Sequence, residues 1–488
     1  MAGRIHIIHM NDLHSRFEHM PKIATYVKQV KEMASKKHEP VIVVDLGDHM
    51  DRMHYETEGT YGKVNVEILN ETGVQFATIG NNEGLTFTKE MLANAYRNRK
   101  FKILTCNLRD LHTGQLPEWA LPYTIEKIGD LTIGWIGATA PYETFYRLQE
   151  WKVEDPLPII QEIVNGIKSK VDIIILLSHL GIKADEQIAE MIPDIHLILG
   201  GHTHRFFEKG LWKGDSTLIC QVGIFGQTIG HVIIEYQNDD ANKRIKMKEQ
   251  TIPIHEFPDD PNILALLEKN RKTALKELEH TIAILDRPLP ISLERESPLA
   301  NLLADGVKRW VNAEIGIVNT GQLLAGLEPG KVTKKKIHEI CPSPINACKI
   351  TLTGKQIKIL LEEALLPEKI HYPLKGYGFR GKELGTLAIS GLLVEYDLMK
   401  QDYQKVLNIT FHGEKIIEDK EYTIGTLDMF TFGGGYTTIK ESIENEKEVQ
   451  YFLPEFIRDI LALQLQNQAW IDQTFEQRWI NVSNLRNG

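Results

Sequence analysis

Gly200-Gly201-His202-Thr203-His204 puts two imidazoles two residues apart on a glycine-rich turn, directly after the largely apolar run 195–199. Such a pair can reach one metal centre, and the glycines let the backbone bend sharply while keeping bulk away from an ion or phosphate. Alone, an HxH pair in a chain with 18 histidines carries little weight. It gains weight from other polar groups that also follow apolar runs: Asp12 and His14, Asp48, Asn81, and His179. Residues at i and i+2 of an extended chain face the same way, so Asp12 with His14, and His202 with His204, are expected to converge in pairs. A mixed imidazole, carboxylate and amide set suits divalent Mn, Zn or Fe, and not calcium or a thiolate zinc site. This set exceeds what one tetrahedral ion takes. It predicts two divalent ions sharing a bridging carboxylate, about 3.5–4 Å apart.

The elements that must position these groups read as strands alternating with helices. Strands are expected at 4–10, 41–44, 75–79, 102–105, 172–177, 195–199, 217–223 and 229–236, with a hairpin at 123–136 turning on Gly129-Asp130. Helical spacing marks 21–37, 61–72, 86–99, 157–170 and 183–191. The pattern predicts an α/β layered domain over 1–240, two sheets flanked by helices, with each ligand at a strand end where open α/β sheets place their sites. A helix starting near Pro261 predicts a helical connector over 257–280. Helices at 299–312 and 354–365, with strands at 314–318, 348–353, 387–397 and 421–427, predict an α+β domain over 281–488.

Composition narrows the function. A chain of 488 residues is too long for one ordinary core, which agrees with two domains. A net charge of −10 argues against a nucleic-acid polymer as partner. No window approaches the roughly 18–20 apolar residues that span a bilayer, so no membrane association is expected. The first residues offer no apolar core of a signal peptide, and four cysteines at scattered spacing read as buried thiols. These features predict a cytoplasmic protein acting on a small-molecule substrate; they leave the oligomeric state open.

Asp12-Leu13-His14-Ser15, Gly47-Asp48, Gly80-Asn81, Ser178-His179-Leu180-Gly181 and Gly200-Gly201-His202-Thr203-His204 resemble the calcineurin-like metallophosphatase signature. More narrowly they resemble the branch of 5'-nucleotidases, UDP-sugar hydrolases and 2',3'-cyclic phosphodiesterases. Arg295-Glu296-Ser297-Pro298-Leu299-Ala300-Asn301, Val318-Asn319-Thr320-Gly321, Ser390-Gly391-Leu392 and Gly433-Gly434-Gly435-Tyr436 resemble that branch's C-terminal motifs, in its order. The resemblance implies that Asp12, His14 and His204 hold one ion, that Asn81, His179 and His202 hold the other, and that Asp48 bridges them. It implies hydrolysis of a nucleotide or related small phosphoester by a metal-activated water. In the second domain it implies a nucleotide pocket with Arg295 and Asn319, and a stacking ring at Phe430 or Phe432.

The sequence departs from that family at one catalytic pair. Where the family reads Gly-Asn-His-Glu, with an Asp that orients the His, this chain has Asn82 and Leu85. Asn donates a hydrogen bond but is no general acid, and such acid assistance is worth about 10²–10⁴ in rate. Asn82 itself, and Arg52 and His54 in the loop after Asp48, are the candidates for contact with the phosphate, Arg52 as a bidentate clamp. The replacement opens two alternatives to a nucleotidase. One is a cyclic-nucleotide or pyrophosphate phosphodiesterase, whose leaving group needs no acid. The other is a catalytically weakened ligand-binding or regulatory homologue.

Overall fold

A computed structural model describes residues 2–239, 242–443 and 449–483. The chain divides into two compact units, Met1–Glu277 and Leu278–Gly488.

The first unit is built on two sheets. In one, the strands run Asn242–Pro253, Thr228–Asp239, Ala2–Met10, Val41–Asp45, Phe76–Ala77, Lys102–Leu104 and Ala120–Leu121 across the sheet. Those from Ala2–Met10 onward are parallel, and the hairpin of the first two lies antiparallel at the edge. In the other, Thr217–Cys220, Leu197–Gly200, Ile173–His179 and Leu131–Thr139 are parallel neighbours between antiparallel edges. Alternation along Ala2–Met10 sends Ile5 and Ile7 into the space between the sheets, where they join Val44, Ile175, Leu199 and Trp135. Trp135 stacks on Phe76 at 4.6 Å between centroids. Ile8 and Met10 face the other way, onto the helix Met20–Ser35 and its neighbours. Ile174, Leu176 and Ile198 likewise meet Ile160 and Val164 of the helix Pro156–Ile167. The result is the expected two sheets flanked by helices.

Several boundaries move for identifiable reasons. The predicted helix 86–99 is two helices, Asn81–Thr86 and Lys89–Tyr96, because Thr88 caps the second by accepting from the Met91 N–H at 3.2 Å. The sheet continues past residue 240 through the Asn242–Pro253 strand. The helix Pro261–Leu278, expected as a connector, packs onto the first unit. Its Ile263 joins that unit's core, Ala274 lies so close to Gly59 that a Cβ there would come within 2.6 Å of the Ala274 carbonyl oxygen, and Arg271 pairs with Glu56 at 3.2 Å.

The second unit is α+β. A five-stranded sheet runs Leu387–Ser390, Ile315–Asn319, Glu421–Leu427, Asn346–Thr353, Gln450–Phe456. The helix Pro298–Trp310 covers it with a buried face that includes Leu299, Leu302, Leu303 and Val307. The predicted strand 387–397 breaks at Gly391, which takes φ +84° and whose Cβ would meet the Glu314 carbonyl oxygen at 2.7 Å. Leu392–Tyr396 then enters a separate four-stranded sheet.

Candidate metal centre

The candidate ligands gather where parallel strands of both sheets end. Asp12, Asp48 and Asn81 follow the neighbouring strands Ala2–Met10, Val41–Asp45 and Phe76–Ala77. His179 ends Ile173–His179, and His202 and His204 follow its neighbour Leu197–Gly200. The pairs do not converge by strand alternation, as expected from spacing, because these residues are not extended. Asp12, His14, Asp48, His202 and His204 all take left-handed backbone conformations, with φ between +46° and +72°. Tight turns aim the side chains, and such conformations in non-glycine residues cluster at functional sites.

Asp12 and Asp48 form the middle of the cluster. Asp12 Oδ1 lies 3.4 Å from His204 Nε2 and 4.0 Å from His179 Nε2. Asp48 lies 3.4 Å from His179 Nε2 and 3.8 Å from His14 Nε2. His202 stands beside His179, with ring centroids 5.3 Å apart. Two ligand groups thus share this space, Asp12 with His14 and His204, and Asp12 with Asp48 and His179.

Three candidate ligand atoms, His14 Nε2, His179 Nε2 and Asn81 Oδ1, are buried and lack a hydrogen-bond partner, and the two imidazole nitrogens face Asp48. Buried polar atoms are nearly always satisfied, and two unpartnered imidazole nitrogens facing a carboxylate fit a cation. Electrostatics agree. Burial disfavours charge on His179, but Asp48 outweighs it and the imidazole is pushed up to about 10. Burial likewise opposes ionisation of Asp48, and His179 overcomes it, holding the carboxyl below its ordinary range. The His179 shift reports a field that favours positive charge at its ring, and the Asp48 shift is the reciprocal of the same attraction.

Outer groups fix the rings. The His179 Nδ1–H donates to the Leu46 carbonyl at 2.7 Å, which turns Nε2 inward. His14 Nδ1 lies 3.4 Å from Asp51 and 2.9 Å from the Asn82 amide. His202 Nε2 lies 2.8 Å from the Tyr142 hydroxyl. Such partners orient metal-binding imidazoles and set their tautomer. The loops themselves are tied by Glu83, whose buried carboxylate accepts from the N–H groups of Asp48, Met50 and Gly80 at 2.7–2.9 Å. Burial, with Asp48 nearby, pushes Glu83 up to about 7. Asp185 is a second buried brace, bonded to Ser178 and, at 2.9 Å, to Gln221. Sequence reasoning missed Tyr142, Glu83 and Asp185. Of these only Glu83 carried a local signal, as the third helical residue after the Gly80 cap.

Residues 5–206 match the family model for the calcineurin-like phosphoesterase, and residues 281–441 match the 5'-nucleotidase C-terminal domain. A relative in Bacillus subtilis, the uncharacterized metallophosphoesterase YunD, is 36% identical over 468 residues, 95% of this chain and 100% of that one. The chain belongs to the calcineurin-like metallophosphoesterase family. This metallophosphoesterase is also similar to human 5'-nucleotidase, at 23% identity over 84% of this chain and 78% of that one. Among solved structures, Haemophilus influenzae NAD nucleotidase shares its fold with a TM-score of 0.66 at 16% identity, over 98% of this chain and 97% of that one. Enzymes of the family hydrolyse phosphoester bonds with divalent metals.

The remaining candidates in this metallophosphoesterase fare differently. Asn82 joins the cluster, but its amide is spent on His14 and its backbone N–H on Asp48, at 2.7 Å. Arg52 is not open as a phosphate clamp: Glu58 holds it by a two-pronged ion pair at 2.7 and 3.0 Å, and it donates to the Thr86 carbonyl at 2.8 Å. His54 lines a groove with Phe17, Glu56 and Arg271 instead of the ligand cluster. In the second unit, Arg295 is exposed. Asn319 is fully buried and holds the loop, donating to the Leu384 carbonyl at 2.7 Å and accepting from Gln322 at 2.9 Å. Phe430 is also fully buried, edge-on to Tyr436, so it offers no face to a base. Phe432 is the exposed ring of the pair, at 40%, stacked parallel to Tyr451.

Proposed function

We propose that this protein is a dinuclear metallohydrolase that cleaves phosphoester bonds of nucleotides. The unpartnered nitrogens of His14 and His179 beside the carboxylates of Asp12 and Asp48 carry that reading. Asp12, His14 and His204 would hold one divalent ion and Asn81, His179 and His202 the other, with Asp48 between them; Mn, Zn and Fe all suit this donor set. Metal bound by these residues would supply an activated water and charge neutralisation for the phosphoryl oxygens.

The chain's own groups do the rest. Leu46, Tyr142 and Asp51 hold three of the imidazoles in orientation. Asn82 braces His14 where the family places its acid, which favours substrates whose leaving group departs unprotonated. Of the candidates in the second unit, Phe432 and Arg295 are the exposed ones, suited to a base and a phosphate. Four buried, unpaired thiols favour a reducing compartment such as the cytoplasm.

The test is a hydrolysis screen of the full chain, loaded with Mn or Zn, across nucleotides, cyclic nucleotides and dinucleotides. Wild type is expected to turn over at least one nucleotide class, and Asp48→Asn to lose about 10²-fold or more. If both proteins are equally inert on every substrate, the reading fails.

A further inference from the structure

Behind the metal centre, three strands of the first unit bring together a second set of ligand-type side chains. Alternation on Ala2–Met10 places His9 on the same face as Ile5 and Ile7, in the space between the sheets. Cys220 enters that space from the facing sheet, at the end of Thr217–Cys220, and Glu249 reaches it from Asn242–Pro253. All three are buried, at 0%, 0% and 1% exposure. A ring nitrogen, the thiol sulfur and a carboxylate oxygen lie within 4.8 Å of one another.

Hydrogen bonding alone leaves this cluster unfinished. His9 Nε2 meets Glu249 Oε1 at 3.0 Å and the Cys220 thiol interacts with the Glu249 carboxylate, but His9 Nδ1 and Glu249 Oε2 are buried with no hydrogen-bond partner within ordinary distance. The same sheet shows how it completes a buried histidine elsewhere. Glu39, His6, His231 and the Tyr26 hydroxyl form a continuous chain at 2.9, 2.9 and 2.6 Å, with both nitrogens of both rings engaged. Two glycines keep the His9 cluster clear. A Cβ at Gly230, the cross-strand partner of His9, would fall 1.9 Å from His9 Nε2, and one at Gly210 would fall 3.0 Å from Glu249 Oε2.

We propose that His9, Cys220 and Glu249 form a separate mononuclear cation site, for zinc. Thiolate with imidazole selects zinc over the hard cations, and three protein ligands leave a fourth tetrahedral position for solvent. Binding exchanges a proton for the ion. The Cys220 Sγ–H proton leaves to solvent as the Sγ–metal bond forms, and His9 coordinates as the neutral ring. The site is a strut: His9 lies three residues before Asp12, and Cys220 two before Val222, whose N–H donates to Asn11 at 3.3 Å. An ion here clamps the strands that launch the Asp12 turn to the loop beside it.

The proposal does not depend on catalysis, because the ligands around Asp48 include no sulfur. The full chain, produced in zinc-free medium with cobalt, is expected to bind about three equivalents and to show a thiolate-to-cobalt charge-transfer band. Cys220→Ala is expected to lose the band and one equivalent, while Cys348→Ala keeps both. With zinc, X-ray absorption should show a sulfur neighbour at about 2.3 Å. A cobalt-loaded wild type without the band overturns the proposal whatever its stoichiometry, as does zinc with only nitrogen and oxygen neighbours. Both readings use wild type, so they stand even if the Cys220 variant fails to fold.

Discussion

Asn82 shows what a single residue decides at this centre. Its side chain touches a candidate ligand, His14, and its backbone touches Asp48, so it would act on bound metal through the groups proposed to hold it. His14 Nε2 is turned toward the carboxylates, and the Asn82 amide nitrogen, Nδ2, meets the other ring nitrogen, Nδ1, at 2.9 Å. Asn82→Ala should therefore weaken metal affinity by about 10–100-fold, and saturating Mn should restore most of the rate. Metal titration beside kcat at saturating Mn checks this; a kcat that stays depressed at full occupancy would mean Asn82 contacts the substrate. The candidate ligands were legible as a set because His, Asp and Asn followed apolar runs. Tyr142 was not. Nothing in its own sequence environment marks a phenol that reaches His202, 60 positions away.

At the scale of elements, strand ends and short turns build the site, and their close approach is the tightest constraint in it. A Cβ at Gly80 would lie 2.0 Å from Asp48 Oδ1 and 2.4 Å from the Asp48 backbone nitrogen. Gly80 has an ordinary negative φ, so space and not conformation requires glycine there. Gly80→Ala should cost about 1–3 kcal/mol of stability in the first unit and displace Asp48 enough to abolish tight metal binding. Unfolding curves and metal titration of that variant measure both effects. Strand and helix order followed from apolar periodicity. The break at Gly391 did not, since 387–397 carries a continuous strand pattern and only the crowding against Glu314 reveals why the chain turns. Burial of Phe430 rather than Phe432 was equally hidden, because it depends on Tyr436 packing edge-on against it.

Over the whole molecule, the two units differ in what holds them. The first is organised around charge at its strand ends. The second keeps a partly buried acid, Asp428, which accepts from the Asn346 N–H at 3.2 Å. Burial pushes its carboxyl up to about 7, against about 4 in an unfolded chain. The protonated form is the one the fold prefers, so its contribution is full below about pH 4 and is lost as pH rises through 7. Asp428→Asn should remove that dependence, on the order of 3 kcal/mol across the interval, as the difference in hydrogen-exchange protection of the Asn346–Thr353 strand at pH 4.5 and 7.5. The division into units was legible only in outline. The helix Pro261–Leu278 reads as a linker by position, yet its Ile263 and Ala274 are core residues of the first unit.

The left-handed turns that carry Asp12, His14, Asp48, His202 and His204 have a consequence for how such a centre can change over time. Asp, Asn and His are the side chains that tolerate this backbone best after glycine, and they are also divalent-metal donors. One short alphabet therefore satisfies both demands. Exchanges within it alter charge and metal preference while leaving the turns intact, so donor chemistry can drift on a fixed frame.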